Sequence, residues 1–230
     1  MKVIVTGSSG GIGKAVSNRF ISLGHFVYGI DVKPSEIENS LYAHFQVDIK
    51  NVSSLPDIDD ADIIFNNAGM QNSGDDISNN LKGTINVTEK YIKSCPLKSI
   101  LFNASASAVS GQEFPEYAAS KSGLLGYMKN VAIRLAPQGV TVNAISLGGV
   151  HTPLNDKVVN NPKCWEKIMA VTPLKKWMTP DEVADWVTFL TITNRSMSGQ
   201  NLLIDNGEYD LIPTFVWPDN ENLNFPNNVE

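Results

Sequence analysis

Thr6-Gly7-Ser8-Ser9-Gly10-Gly11-Ile12-Gly13 is the stretch on which the reading of this chain turns. It follows the β-branched run Val3 to Val5. It opens residues 11 to 23, GIGKAVSNRFISL, whose apolar residues recur at helical spacing as far as Gly24. A strand, a glycine-rich turn and a helix therefore come in immediate succession. Residues without a Cβ let the backbone approach a pyrophosphate and let the helix pack closely on the strand. The helix N-terminus then offers N–H groups and a partial positive charge to an anion. Gly7, Ser9, Gly11, Ile12 and Gly13 are thus candidates to hold a dinucleotide.

Asp31 strengthens that reading. It follows a second strand-like run, Phe26 to Ile30, and lies 18 positions after Gly13. A ribose-binding acid is expected about 20 residues beyond such a turn. A carboxylate there accepts from the ribose 2′-OH and repels a 2′-phosphate. Val32 comes next, and Lys33 is the one nearby cation. The cofactor expected is NAD(H), with NADP(H) as the alternative.

Further along, Ala43 to Val47, Ile63 to Phe65, Ser99 to Phe102, Val140 to Ile145 and Leu202 to Ile204 read as short apolar strands. Residues 77 to 93 and Tyr117 to Leu135 read as long helices, and Thr179-Pro180-Asp181-Glu182 as a helix start. Alternating strands and helices mean βαβ units and a parallel sheet. The expectation is a single α/β domain, a doubly wound parallel sheet of about seven strands flanked by helices, over residues 1–212. Residues 151–178, with Pro153, Pro162 and Pro173, break the rhythm and suit a substrate lid; Trp165, Met169 and Trp177 suit either its apolar pocket or the core. Residues 213–230 read as an extended tail.

Composition narrows the function classes. With 230 residues, 42% of them hydrophobic, the chain can bury a large core. A net charge of −6 argues against nucleic acid and against acidic partners such as a carrier protein. Two cysteines, Cys95 and Cys164, and three histidines give no metal or disulfide pattern. No apolar run is long enough to span a bilayer, and MKVIVTGSSGG does not read as a signal peptide. A cytoplasmic protein without membrane or nucleic-acid partners is expected.

Tyr117 and Lys121 stand four apart on a helical pattern and so share a face. Tyrosine titrates near pH 10, and lowering that by about three units takes roughly 4 kcal/mol. A cation at about 4 Å, in an effective dielectric of about 20, supplies about that much. Tyr-x-x-x-Lys can therefore work as a proton-transfer pair.

TGSSGGIG, NNAG at Asn66 to Gly69, Ser105 and YAASK at Tyr117 to Lys121 come in one order, and with them the sequence resembles the short-chain dehydrogenase/reductase family, of the Rossmann type, from Lys2 to about Gly207. The resemblance implies that Tyr117 is the general acid/base, that Lys121 lowers its pKa and holds the nicotinamide ribose, and that Ser105 binds the substrate oxygen. Ser105 precedes Tyr117 by 12 positions where the family usually has 13, and Ser107 is the competing assignment. NNLKGTINVT resembles the family's VNLKGT segment, which makes Asn80 the fourth catalytic residue, linked to Lys121 through water; Asn86 is the weaker choice. Asp48 and Ile49, in VDI, would meet the adenine, and Asn67, Ala68 and Gly69 its ribose. Val150 and Thr152, in HTPL, would meet the nicotinamide end and the phosphates. The implied reaction is reversible hydride transfer between a nicotinamide cofactor and a small secondary alcohol or ketone; the alternatives are NADP(H)-dependent reduction of a 3-oxoacyl thioester and a non-catalytic dinucleotide-binding sensor. The family also implies a homodimer or homotetramer packed through the two long helices. Three departures stand out. Ser146-Leu147-Gly148 replaces the family's SPG, the segments before NNAG and between Gly69 and Asn80 are short enough to reduce a helix to a turn in each, and the tail after Gly207 lies outside the common pattern.

Overall fold

A computed structural model describes residues 1–209 and Leu211; the expected tail 213–230 lies outside the described residues. Seven strands form one parallel sheet: β1 (Lys2–Thr6), β2 (Phe26–Asp31), β3 (Tyr42–Gln46), β4 (Ile63–Asn66), β5 (Ser99–Asn103), β6 (Thr141–Leu147) and β7 (Asn201–Ile204). Their order is β3-β2-β1-β4-β5-β6-β7. The direction of winding reverses between β1 and β4, so a crevice opens beyond the carboxyl ends of those two strands.

Both faces of the sheet are apolar, and alternation within each strand shows why. Ile4, Ile64, Ile100 and Phe102 point to one face, and Val3, Val5, Ile63, Phe65 and Leu101 to the other. The first face is covered by α2 (Gly83–Tyr91) and α4 (Pro115–Leu135), through Val87, Tyr91, Leu124, Met128 and Val131. The second is covered by α1 (Gly11–Ser22) and α7 (Pro180–Thr188), through Val16, Phe20, Val183 and Val187. Strand runs that are apolar throughout, rather than alternating with polar residues, follow from burial on both sides.

The helix expected over residues 77–93 starts differently. Ile77–Lys82 is wound as a π-turn before α2 begins, and Asn80 is its buried residue. Asn80 holds the backbone of Met70 from both sides, accepting from its N–H at 2.7 Å and donating to its carbonyl at 2.8 Å. A turn widened in this way commonly marks a functional position. Between β3 and β4 a single 3₁₀ turn, Val52–Ser54, stands where a longer helix would be usual. Residues 151–178 carry three short pieces: a 3₁₀ turn at Pro153–Asn155, then α5 (Asp156–Val159) and α6 (Pro162–Val171). The helix start read at Thr179 is a full capping box, with Thr179 and Glu182 each bonding the other's backbone N–H. No helix among the described residues is long and apolar enough to cross a membrane.

Candidate active site

The glycine turn is shaped by its neighbours. Gly7 has φ +68°, a left-handed conformation that favours glycine. A Cβ on Gly13 would lie 2.7 Å from the carbonyl carbon of Gly7 and 2.8 Å from Asn67 Nδ2, so no side chain fits there. β1 and β4 are tied across the crevice. Thr6 Oγ1 accepts from the N–H groups of both Asn67 and Ala68 at 2.9 Å, and Asn67 Nδ2 donates to the Thr6 carbonyl at 3.0 Å. Asn103, at the end of β5, donates to Asn67 Oδ1 at 2.9 Å. Three strand ends are thereby held in one register beside the turn.

Asp31 ends β2 and reaches the same turn. Its carboxylate accepts from Ser9 N–H at 3.0 Å and from Lys33 N–H at 2.9 Å. Ser9 Oγ closes the loop by donating to the Lys33 carbonyl at 3.0 Å. From the far side Thr152 approaches: a Cβ on Gly11 would sit 3.3 Å from its methyl carbon. Val150 is buried and bridges to Met178, and its carbonyl accepts from Asn155 Nδ2 at 2.9 Å. Asp48 is exposed at the crevice rim, where it accepts from Lys50 N–H at 2.8 Å; Ile49 is buried and would touch a side chain at Gly83. Turn, helix N-terminus, acid and Thr152 thus line one groove with the exposed backbone and carboxylate that a dinucleotide requires. Ile12 is partly buried and packs against the α1 side of the core.

Tyr117 and Lys121 lie on the first turns of α4, as their spacing requires. Lys121 is 4% exposed, its Nζ donates to the Asn103 carbonyl at 2.8 Å, and it stands 5.8 Å from the centre of the Tyr117 ring. Gly69 sits between it and Asn80: a Cβ there would be 3.1 Å from Asn80 Oδ1 and 3.3 Å from Lys121 Nζ. Asn80 also donates to Ser120 Oγ at 3.0 Å, and Ser120 donates to the Tyr117 carbonyl at 2.7 Å. Asn86 instead donates to the carbonyls of Ile49 and Lys50, away from this cluster. Of the two serines, Ser105 is the one that lowers the Tyr117 pKa, and Ser107 bonds to Ser105 in turn. All four expected catalytic residues, Asn80, Ser105, Tyr117 and Lys121, therefore gather beyond β4 and β5.

The electrostatics differ from the expectation that Lys121 depresses Tyr117. Burial pushes the Tyr117 hydroxyl up to about 12; Ser105 pulls it down, while the charges of Glu113 and Asp76 push it further up. Burial also holds Lys121 down at about 8 against its ordinary 10.5. Lys121 is desolvated along with the phenol and stands 5.8 Å from its ring centre.

Several residues around the site carried no signal in the sequence, and Trp165 and Trp177, already candidates for an apolar pocket, gain a place. Asp76 is buried and is gripped by the N–H groups of Asn72 and Ser73 at 2.8 and 3.0 Å. Glu113 takes φ +72° just ahead of α4 and accepts from Gln71 Nε2 at 2.7 Å. His151, Trp165 and Trp177 form an aromatic cluster with ring centres 5.2–6.2 Å apart. Trp177 lies over Gly149, where no side chain fits. Glu208 faces Trp177 and Thr172 and is raised by burial. Of these only His151 lies in a motif, HTPL; the acid pair Asp75-Asp76 before the turn at Ile77 was the other available signal.

Comparison with known proteins agrees with this geometry. The family described as enoyl-(acyl carrier protein) reductase matches residues 7–208. The 3-oxoacyl-(acyl-carrier-protein) reductase of Buchnera aphidicola is 29% identical over 235 residues, covering 89% of this chain and 96% of its own. Thermoplasma acidophilum aldohexose dehydrogenase superposes with a TM-score of 0.81 at 25% identity, over 94% of this chain and 96% of its own. A short chain dehydrogenase family protein from Francisella tularensis gives 0.80 at 26% identity, over 90% and 98%. With its sheet order, its glycine turn and these relatives together, the chain belongs to the short-chain dehydrogenase/reductase family and is an oxidoreductase acting on CH–OH and C=O groups.

Proposed function

We propose that this enzyme interconverts a secondary alcohol and a ketone with NAD(H), using Tyr117 as acid/base. The observation that carries the reading is the meeting of Ser105, Tyr117, Lys121 and Asn80 at the mouth of the glycine-turn groove. A bound nicotinamide would accept or deliver the hydride and, when oxidised, add positive charge beside the phenol. The chain's own residues do the rest. Tyr117 takes the hydroxyl proton of the alcohol, and Ser105 donates a hydrogen bond to the oxygen as charge builds on it. Lys121, buried and bonded to the Asn103 carbonyl, presents its remaining N–H donors to a ribose. Asn80 holds the Met70 backbone beside Lys121, which suits a proton path running past Gly69.

NAD(H) is favoured because Asp31 ends β2 beside the glycine turn, where a ribose-binding acid is expected, and its carboxylate is already fixed by the N–H groups of Ser9 and Lys33. A 2′-phosphate would meet that charge with no arginine to offset it. The rival is reduction of 3-oxoacyl groups on a carrier protein, the activity in the name of the Buchnera relative. Against it stand the carboxylates around Tyr117, those of Glu113 and Asp76, and the overall charge of −6, which repel an acidic carrier.

A panel of acyclic and cyclic secondary alcohols, aldose sugars and 3-oxoacyl thioesters, each run with NAD(H) and NADP(H), tests the reading. Turnover is expected for alcohols or sugars with NAD(H). Faster turnover of the thioesters with NADPH would replace it with the rival.

A further inference from the structure

We propose that Ser107 is a positioning residue that makes Ser105 a one-way hydrogen-bond donor. Ser105 follows β5 by two residues and is held on both sides by β6: Ala104 N–H donates to the Ile145 carbonyl and Ala106 N–H to the Leu147 carbonyl, each at 2.8 Å. Immediately beyond, the short helix α3 (Ser107–Ser110) turns the chain back toward Tyr117. In that turn Ser107 Oγ donates to Ser105 Oγ at 2.9 Å, and Ser107 N–H donates to the same oxygen at 3.2 Å. Ser107 is completely buried and Ser105 is 5% exposed, so water does not compete for these bonds.

A serine hydroxyl has one proton to give and two lone pairs to accept with. Both lone pairs of Ser105 are taken by Ser107. What remains is its proton, which is free for Tyr117, whose pKa Ser105 lowers. Ser105 therefore cannot accept from the tyrosine hydroxyl; it can only donate, to the phenolate or to the substrate oxygen. Donation in that direction stabilises the charged form of either. Accepting from two donors also polarises the Ser105 O–H and strengthens it as a donor. A free serine would divide its time between donating to Tyr117 and accepting from it, and the second arrangement favours the neutral phenol. Ser107 removes that arrangement. The inference rests on the proposed roles of Ser105 and Tyr117.

The test compares wild type with Ser107→Ala, which deletes the hydroxyl, and Ser107→Thr, which keeps it. The substrate is the alcohol turned over best in the panel above, followed from pH 6 to 11 in the oxidation direction. Ser107→Ala is expected to lower kcat about tenfold, the scale of losing one hydrogen bond to a developing charge. KM and the Kd for NADH, read by fluorescence, should stay within about twofold. The limb on which kcat rises with pH should move to higher pH, because the phenolate loses part of its support. Ser107→Thr should restore both the rate and the profile. An unmoved profile in Ser107→Ala overturns the proposal, whether kcat holds or falls together with NADH affinity and melting temperature. So does a Ser107→Thr variant that folds and binds NADH but behaves like the alanine. Ser105→Ala and Tyr117→Phe separate the two levels. If both abolish turnover while Ser107→Ala is silent, only this inference fails; if either retains full turnover, the proposed proton chemistry fails with it.

Discussion

Two regions meet at Tyr117 and are built on different terms. In the crevice beyond β1 and β4, Thr6, Asn67, Ser9, Asp31 and Asn103 bond to one another and to the backbone, and glycines occupy places where a Cβ cannot go. At the mouth, among the described residues, Trp177 Nε1 and Glu208 Oε2 are buried without a hydrogen-bond partner, and Glu113 is anchored through Gln71. The crevice is a cradle tied together by its own hydrogen bonds, although Asn66 Oδ1 and Asn103 Oδ1 are also left without a partner there; the mouth is built from aromatic rings and carboxylates instead. A shared cofactor requires the first arrangement and an individual substrate the second. Changes in the crevice should thus act on cofactor binding and on folding, and changes at the mouth on the substrate and the pH profile.

The largest effect is expected where the regions join. Tyr117→Phe should lower kcat by roughly 10²- to 10⁴-fold, the range of general acid–base catalysis, while leaving NADH affinity within a few-fold. Parallel loss of both would assign Tyr117 to the cradle. Within the crevice, Asp31→Ala removes a charge and the acceptor of two backbone N–H groups. NADH affinity should fall roughly 10- to 100-fold, as for a lost hydrogen bond to a charged group, and the NAD/NADP preference should narrow. An unchanged ratio of kcat/KM for the two cofactors would remove the argument for NAD(H).

How legible each region was in the sequence follows from the same contrast. Gly7 and Gly13 could be read because the backbone admits nothing else, and the strands because both faces of the sheet demand apolar residues. Tyr117 and Lys121 could be placed because helical spacing puts them on one face. The π-turn at Ile77–Lys82 was not legible: it depends on Asn80 bonding Met70, ten residues earlier, which no periodicity records. The rise of the Tyr117 pKa was not legible for a similar reason, since burial acts through the whole surrounding fold. Trp165 and Trp177 were visible as residues but not as a cluster with His151, because their proximity depends on the path of residues 151–178.

Lys121 gives a smaller and separable effect. Its burial lowers the folded-state pKa to about 8 from 10.5. Below pH 8 the folded chain bears the cost of a buried charge. Above it the folded chain releases the proton while the unfolded chain keeps it, so stability rises with pH. Tyr117, raised to about 12, acts in the opposite sense once the unfolded chain's tyrosines ionise near pH 10, which limits the window to pH 8–10. Urea unfolding of wild type should gain roughly 2 kcal/mol across that window relative to Lys121→Met. A constant difference between the two proteins would show that the amine keeps an ordinary pKa in the fold.

The smallest effect belongs to the mouth and is the sharpest test of the contrast. Glu113 holds its backbone at φ +72° and places a carboxylate within electrostatic reach of both Tyr117 and Lys121. A negative charge there disfavours the phenolate and so keeps the Tyr117 pKa higher than it would otherwise be. Glu113→Gln preserves the bond partner for Gln71 and removes only the charge. The rising limb of kcat against pH in the oxidation direction should therefore move to lower pH, by less than about one unit, given the exposed position of this side chain. NADH affinity and melting temperature should not change, because none of the bonds that hold the cradle involve Glu113. A shift to higher pH would mean that Glu113 acts mainly by supporting the charge on Lys121 rather than by opposing that on Tyr117. A change in NADH affinity would mean that mouth and crevice are one coupled unit, and the division drawn between them would fail.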